Sequence, residues 1–179
     1  MIYARRLFAL SAGVVLTMTG FEASARAQQP VTGDTIPVAE ATVRTLYDLV
    51  TFEAGTTPDW DAVRSLFLPQ AVIVLRTSRT ATTVFTVDGF MDDFVQFIER
   101  SNVEQSGFVE RILRTHTMVF KDMAHMLVLY EASIPGSGRP PQQGVDSFQL
   151  IRQDGRWRIA AVLNDVPDPA NPVPEALRP

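Results

Sequence analysis

Asp146 is the side chain whose type and setting most clearly invite chemistry. It stands in the run Val145-Asp146-Ser147-Phe148-Gln149-Leu150, ahead of Asp154-Gly155 and a second apolar run at 156–162. Asp-Gly between two alternating runs predicts a hairpin whose two turn residues both take positive φ. Pairing Arg152 with Trp157 sets Leu150 opposite Ile159 and Phe148 opposite Ala161, and the same parity carries Asp146 onto that apolar face. Apolar surroundings raise a carboxyl's pKa, and a neutral carboxyl donates a hydrogen bond. The plainer alternative is a structural bond to a helix N-terminus or to an arginine such as Arg152.

Other chemical candidates are scattered. Tyr47 falls on the apolar stripe of an early helix, where it is either a pocket hydroxyl or a core tyrosine bonded to a backbone carbonyl. His116, in Arg114-Thr115-His116-Thr117, and His125 are both able to act as general bases near neutrality. The mixed polarity of both strand faces leaves the direction of His116 open. Glu131 shares parity with Leu127 and Leu129, and Tyr130 with Met126 and Val128, so only one of Glu131 and Tyr130 points inward. Trp60 and Trp157 read mainly as packing residues, and Phe67 and Phe148 as apolar walls. The two histidines show no metal-ligand spacing, and no Gly-rich phosphate loop or Gly-x-Ser-x-Gly elbow is present. Neither a metal nor a cofactor is expected.

The elements that must carry these residues follow from periodicity. Val43, Leu46, Val50 and Ala54 recur at helical steps in a helix beginning near Pro37, which Gly55-Thr56-Thr57-Pro58 ends. A second helix turns Trp60, Val63, Leu66 and Phe67 inward and closes at Pro69. Residues 71–75 and 82–87 read as paired strands, and Asp88 as the N-cap of a third helix reaching about Arg100. Strands at 108–120 and 124–133 turn at Lys121-Asp122-Met123, and a Gly/Pro-rich loop at 135–143 precedes the hairpin. The order α-α-β-β-α-β-β-β-β indicates an α+β fold: three helices from the N-terminal side covering one face of a curved antiparallel sheet. Five prolines from Pro167 onward prevent residues 166–179 from continuing the sheet, which leaves a tail that is extended across the surface or mobile.

Bulk properties narrow the partners. Arg5-Arg6, a softened apolar run from Leu7 to Phe21 and Ala25-Arg26-Ala27 form an export signal cleaved after Ala27, with a resemblance to twin-arginine signals at Arg5-Arg6-Leu7-Phe8. A polar leader at 28–35 and a single domain at 36–165 follow. Removal of the signal leaves 13 basic and 19 acidic residues, a net charge of about −6. That surface argues against nucleic acid and, after signal removal, against membrane. With no cysteine, the mature 152 residues rely on packing alone, which a domain of that size sustains.

Taken in order, Ala54-Gly55, Asp59-Trp60-Asp61 with Leu66-Phe67, Lys121-Asp122-Met123-Ala124, Gly144 to Leu150 and Arg156-Trp157-Arg158-Ile159 resemble the nuclear transport factor 2-like superfamily, which includes SnoaL-like cyclases and ketosteroid isomerases. The likeness spans about Val38 to Asn164, and from Gly107 onward it resembles an uncharacterised exported subgroup. It implies a cone-shaped α+β barrel whose mouth opens into a pocket. It further implies that Asp146 matches the isomerases' oxyanion aspartate and Tyr47 their helix tyrosine, while the position of their base holds Val74-Leu75. The expected function is therefore an exported binding module for a small, largely apolar ligand, with Tyr47, Trp60, Phe67, His116, Glu131, Asp146 and Phe148 around it. A cofactor-independent lyase, cyclase or isomerase using Asp146 and Tyr47, with His116 or Glu131 as replacement base, is the alternative. A homodimer built on the outer sheet face, with a vestigial pocket, is a third.

Overall fold

A computed structural model describes residues 35–179 apart from Arg79; the export signal and most of the expected leader lie outside the described residues. The element order is the expected one. Helix α1 spans Thr35–Val50, α2 Trp60–Ser65 and α3 Val87–Arg100. The strands are β1 Phe67–Arg76, β2 Thr82–Phe85, β3 Val109–Phe120, β4 Met123–Ser133, β5 Gln142–Gln153 and β6 Arg156–Asp165. They form one six-stranded sheet in the order β2-β1-β6-β5-β4-β3, in which β1 runs parallel to β6 and every other pairing is antiparallel.

Each helix forms for local reasons and is held by what it buries. On α1 the residues Ala39, Val43, Leu46, Tyr47 and Val50 recur on one stripe and all are buried. The outer part of the same helix is tied to the sheet where Glu40 Oε1 accepts from the hydroxyls of Thr115 (3.2 Å) and Thr117 (2.7 Å) on β3. Asp59 caps α2 by accepting from Ala62 N at 3.0 Å. The cap of α3 is Thr86, which accepts from Gly89 N at 3.1 Å; Asp88, expected as the cap, lies one residue inside the helix, where its charge still suits the N-terminal dipole.

Several boundaries differ from the periodic reading, most of all around α1, α2 and β1. Helix α1 stops at Val50, and Phe52 then pairs with Phe108 as an isolated bridge before Gly55 turns the chain. Phe67 opens β1 instead of closing α2, because Leu66 O receives Ile159 N at 2.9 Å and draws the chain onto β6. Pro69 sits inside that strand and not at a helix end. It is tolerated because β2 reaches no further along β1 than Ile73 and the register with β6 is interrupted between Phe67 and Val72.

The β5–β6 hairpin forms as its turn chemistry dictates, with Asp154 at φ 49° and Gly155 at φ 77°, and with Arg152 opposite Trp157 and Leu150 opposite Ile159. Beyond that point the register slips by one. Gln149, not Phe148, faces Ala161, so Ala160 is a bulge residue and Phe148 pairs with Val162. A second bulge, at Leu113, lies between Ile112, opposite Tyr130, and Arg114, opposite Leu129. The main core lies between α1, α3 and the inner sheet face, with Val43, Ile73, Met126, Val128, Phe148 and Ile159 fully or almost fully buried. The proline-bearing tail leaves the sheet after Asp165. It ends in a short 3-10 turn, Glu175–Leu177, packed against β3 and β4 with Leu177 wholly buried, so that end of the tail is docked.

Candidate functional site

The concave side of the sheet encloses a cavity of about 350 Å³ beneath α1 and α3. Its walls are mainly apolar, with Leu46, Ile73, Leu75 and Val162 on one part and Phe90, Phe94, Phe97 and Phe108 on another. The phenylalanines pack edge to face around Phe94, at centroid distances of 6.0, 5.8 and 5.6 Å to Phe90, Phe97 and Phe108. A larger surface groove near Arg64 is polar, and its Arg64 guanidinium is already bonded to Asp61 and Asp88. Apolar walls with a few convergent polar groups make the conical cavity the candidate site.

Those polar groups form one network. Tyr47, reaching down from α1, donates to Asp146 Oδ2 at 2.5 Å, and Asn164 on β6 donates to Asp146 Oδ1 at 2.7 Å. The Asn164 amide also reaches the Tyr130 hydroxyl at 3.0 Å. The Tyr47 ring lies 5.7 Å from that of Tyr130 and 6.3 Å from that of Phe148, which fixes its hydroxyl over β5. Arg152 does not serve Asp146: its guanidinium is bonded to Asp122 at 2.8 and 2.7 Å. Both Asp146 oxygens accept hydrogen bonds, so the group is arranged as an acceptor.

Backbone geometry places each member. Val128 faces Asp146 across β4 and β5, and Asp146 faces Asn164 across β5 and β6. Tyr130 stands opposite Gly144, where an added Cβ would lie only 2.4 Å from the tyrosine ring. Gly144 is therefore the space in which that ring lies.

A further carboxyl, Glu110, lines the cavity from the start of β3. The backbone there is pinned by Thr51, whose hydroxyl accepts from Glu110 N at 2.9 Å and donates to Glu110 O at 3.1 Å. Among the described residues the Glu110 carboxyl has neither a hydrogen-bond nor an ion-pair partner. Burial, reinforced by the nearby Asp146 charge, raises Glu110 to about 8. Burial also raises Asp146, but the bonds from Tyr47 and Asn164 hold it to about 6. Burial first, and Asp146 next, push the hydroxyls of Tyr47 and Tyr130 above the ordinary tyrosine range, so both stay protonated.

Of the residues read from sequence, Tyr47, Asp146, Phe67 and Phe148 line the cavity together. Trp60 does not; it packs edge-on against Phe94 at 5.5 Å. His116 is exposed on the opposite face of the sheet, because the Leu113 bulge turns Thr115 and Thr117 toward α1 instead. Glu131 also lies off the cavity, paired with Arg111 at 2.5 Å. His125 lies within 2.6 Å of the Gln149 side-chain nitrogen, away from the cavity. Sequence reading missed Glu110 and Asn164. Glu110 carried a usable sign, since it alternates with Phe108 and Ile112, whereas Asn164 is turned inward by an unmarked bulge. Of Val74-Leu75, the pair that the resemblance sets at the base position, Leu75 lines the cavity with hydrocarbon and Val74 does not. No group of three or more potential metal-ligating side chains occurs among the described residues.

Comparison with solved structures defines the class. A nuclear transport factor 2-like protein of unknown function from Pseudomonas putida aligns with a TM-score of 0.61 at 11% identity, over 83% of this chain and 99% of its own. A protein of unknown function with a cystatin-like fold from Nostoc punctiforme aligns at 0.57 and 10% identity, over 76% and 92%. A protein from Shewanella frigidimarina proposed to be a ketosteroid isomerase aligns at 0.52 and 16% identity, over 72% and 94%. No family model and no curated protein matches the sequence. The chain thus has the nuclear transport factor 2-like cone fold, as its motifs implied.

Proposed function

We propose that this protein binds a small, largely apolar molecule inside the cone, with the molecule's polar end at the Tyr47–Asp146–Asn164–Tyr130 network. The observation that carries this reading is the cavity of about 350 Å³, walled by hydrocarbon and phenyl rings yet supplied with two carboxyls. A polar network confined to one part of an apolar cavity orients a ligand and excludes misfits, which is how preformed small-molecule sites work. Export to the periplasm or beyond accompanies the proposal and rests on the Arg5-Arg6 signal alone.

A thermal-shift screen with neutral and charged aromatic or alicyclic compounds tests it. A ligand at 100 times its dissociation constant adds about 2.7 kcal/mol of stability. The response is expected to vanish in Leu75→Trp, which fills the cavity. A flat response across a broad panel, or shifts that persist in Leu75→Trp, would overturn the proposal.

One observation supports a catalytic reading of the same site. Glu110 has an unengaged carboxyl in the cavity that changes charge close to neutrality, the property a general base needs. A cofactor-independent isomerase or lyase would then take a carbon-bound proton to Glu110, in place of His116 or Glu131. Incorporation of solvent deuterium into a bound ligand, lost in Glu110→Gln, is the sign of that activity.

A further inference from the structure

Two carboxyls share one cavity with aromatic walls, and that pairing restricts what can occupy it. Asp146 is held by two donors, whereas Glu110 lines the space with no side-chain partner among the described residues. The titratable and charged groups lining the cavity are Tyr47 from α1, Arg76 from β1, Glu110 from β3, Tyr130 from β4 and Asp146 from β5. Arg76, the cationic member, is held by Asp165 through Nε at 3.0 Å and Nη2 at 2.5 Å. Among the described residues, the cavity wall therefore carries two potential negative charges, and neither carboxyl is ion-paired to Arg76. Phenyl faces are negative as well, and attract a cation placed over them.

Resting on the small-molecule reading above, we propose that the cone takes a hydrophobic cation, an amine or quaternary ammonium with an apolar body, whose charged head lies between Glu110 and Asp146 and against the phenylalanine rings. A cation there stabilises the charged form of both carboxyls and replaces the solvation that form loses by burial. Glu110, largely neutral at pH 7 on its own, gives up its proton when the cation enters. An anionic ligand meets repulsion from Asp146, and a neutral one gains no charge attraction from either acid. Ligand class is thereby set by Glu110, whose carboxyl makes no structural hydrogen bond among the described residues.

The test compares two probes of the same shape, phenyltrimethylammonium and tert-butylbenzene, on the full chain by NMR titration at pH 8. The cation should bind about tenfold or more tightly than its neutral isostere. Glu110→Gln should remove most of that advantage while the neutral probe's affinity stays within about twofold. Because the quaternary ammonium cannot titrate, its affinity for the wild type should climb between pH 6 and 9, as Glu110 ionises, with Asp146 and the raised Tyr47 and Tyr130 as the other titrating groups on the wall. Equal affinity for both probes, or an unchanged preference in Glu110→Gln, overturns the cation assignment while leaving the small-molecule site standing. If neither probe binds and the wider panel is also flat, both fail.

Discussion

Asn164 reaches Asp146 Oδ1 at 2.7 Å because β6 carries one residue more than β5 between the turn and the pair. Leu150 faces Ile159 and Gln149 faces Ala161, so Ala160 is unmatched and every later β6 side chain changes face. Without that residue Leu163 would point inward and Asn164 outward. The amide then satisfies one lone pair of the buried carboxylate and, through the same nitrogen, touches Tyr130.

Removal of this amide should be felt first at Asp146. In Asn164→Ala the carboxyl loses a bond that favours its charged form, so its pKa should move upward from about 6. Stability should fall by about 1 to 3 kcal/mol, the cost of leaving a buried charged acceptor short of a partner. A carbon-detected NMR titration of Asp146 together with urea unfolding measures both. A carboxyl that titrates as in the wild type would refute the link.

Tyr47 acts on the same carboxyl from the other side. Tyr47→Phe keeps the ring packed against Tyr130 and Phe148 and deletes only the hydroxyl that donates at 2.5 Å. The expected loss is about 1 to 2 kcal/mol, with the fold intact by circular dichroism. Combined with Asn164→Ala it should be non-additive by about 0.5 kcal/mol or more, since both donors serve one group. Strict additivity in the double-mutant cycle would mean the two contacts are independent.

These two residues also mark how far the sequence could be read. The hairpin, the inward turn of Asp146 and its meeting with Tyr47 all follow from period-two alternation and a helical stripe, which are local rules. Asn164 and His116 were beyond those rules because each lies past a bulge, and one unpaired residue reverses the parity of everything after it. Ala160 and Leu113 have no side-chain feature that announces a bulge. Glu110 was legible in principle, flanked at two-residue steps by Phe108 and Ile112. That no described cation pairs with it was not, because that depends on Arg76 being bonded to Asp165 across β1 and β6.

Glu110 should make the folded chain prefer mild acid. Its pKa in the fold, about 8, lies above the usual carboxylate value of 4.5, so the native state holds a proton that the unfolded chain releases. The stabilisation is complete below about pH 4.5 and is lost as the pH rises through about 8. Asp146 adds a smaller effect of the same sign between about 3.8 and 6. Asp165 and Asp168, whose hydrogen bonds hold them below the usual range, oppose it only at the acid end. Denaturant unfolding should show stability falling by a few kcal/mol, on the order of 2 to 4, from pH 5 to 9 in the wild type. Glu110→Gln should flatten most of that slope, and an unchanged slope would remove Glu110 as its source.

Gly144 supplies the last test, because it decides where Tyr130 can lie. An alanine Cβ there would sit 2.4 Å from the Tyr130 ring, inside any tolerable contact, while β5 keeps ordinary strand geometry at that position. The ring must therefore move, and its hydroxyl with it, breaking the 3.0 Å contact to Asn164. Overpacking of this kind costs about 1 to 3 kcal/mol. Most of that penalty should disappear when Gly144→Ala is made in a Tyr130→Ala background, since the collision partner is gone. If the substitution costs the same with and without the tyrosine, the glycine is serving the backbone and not the ring, and Tyr130 is positioned by some other contact.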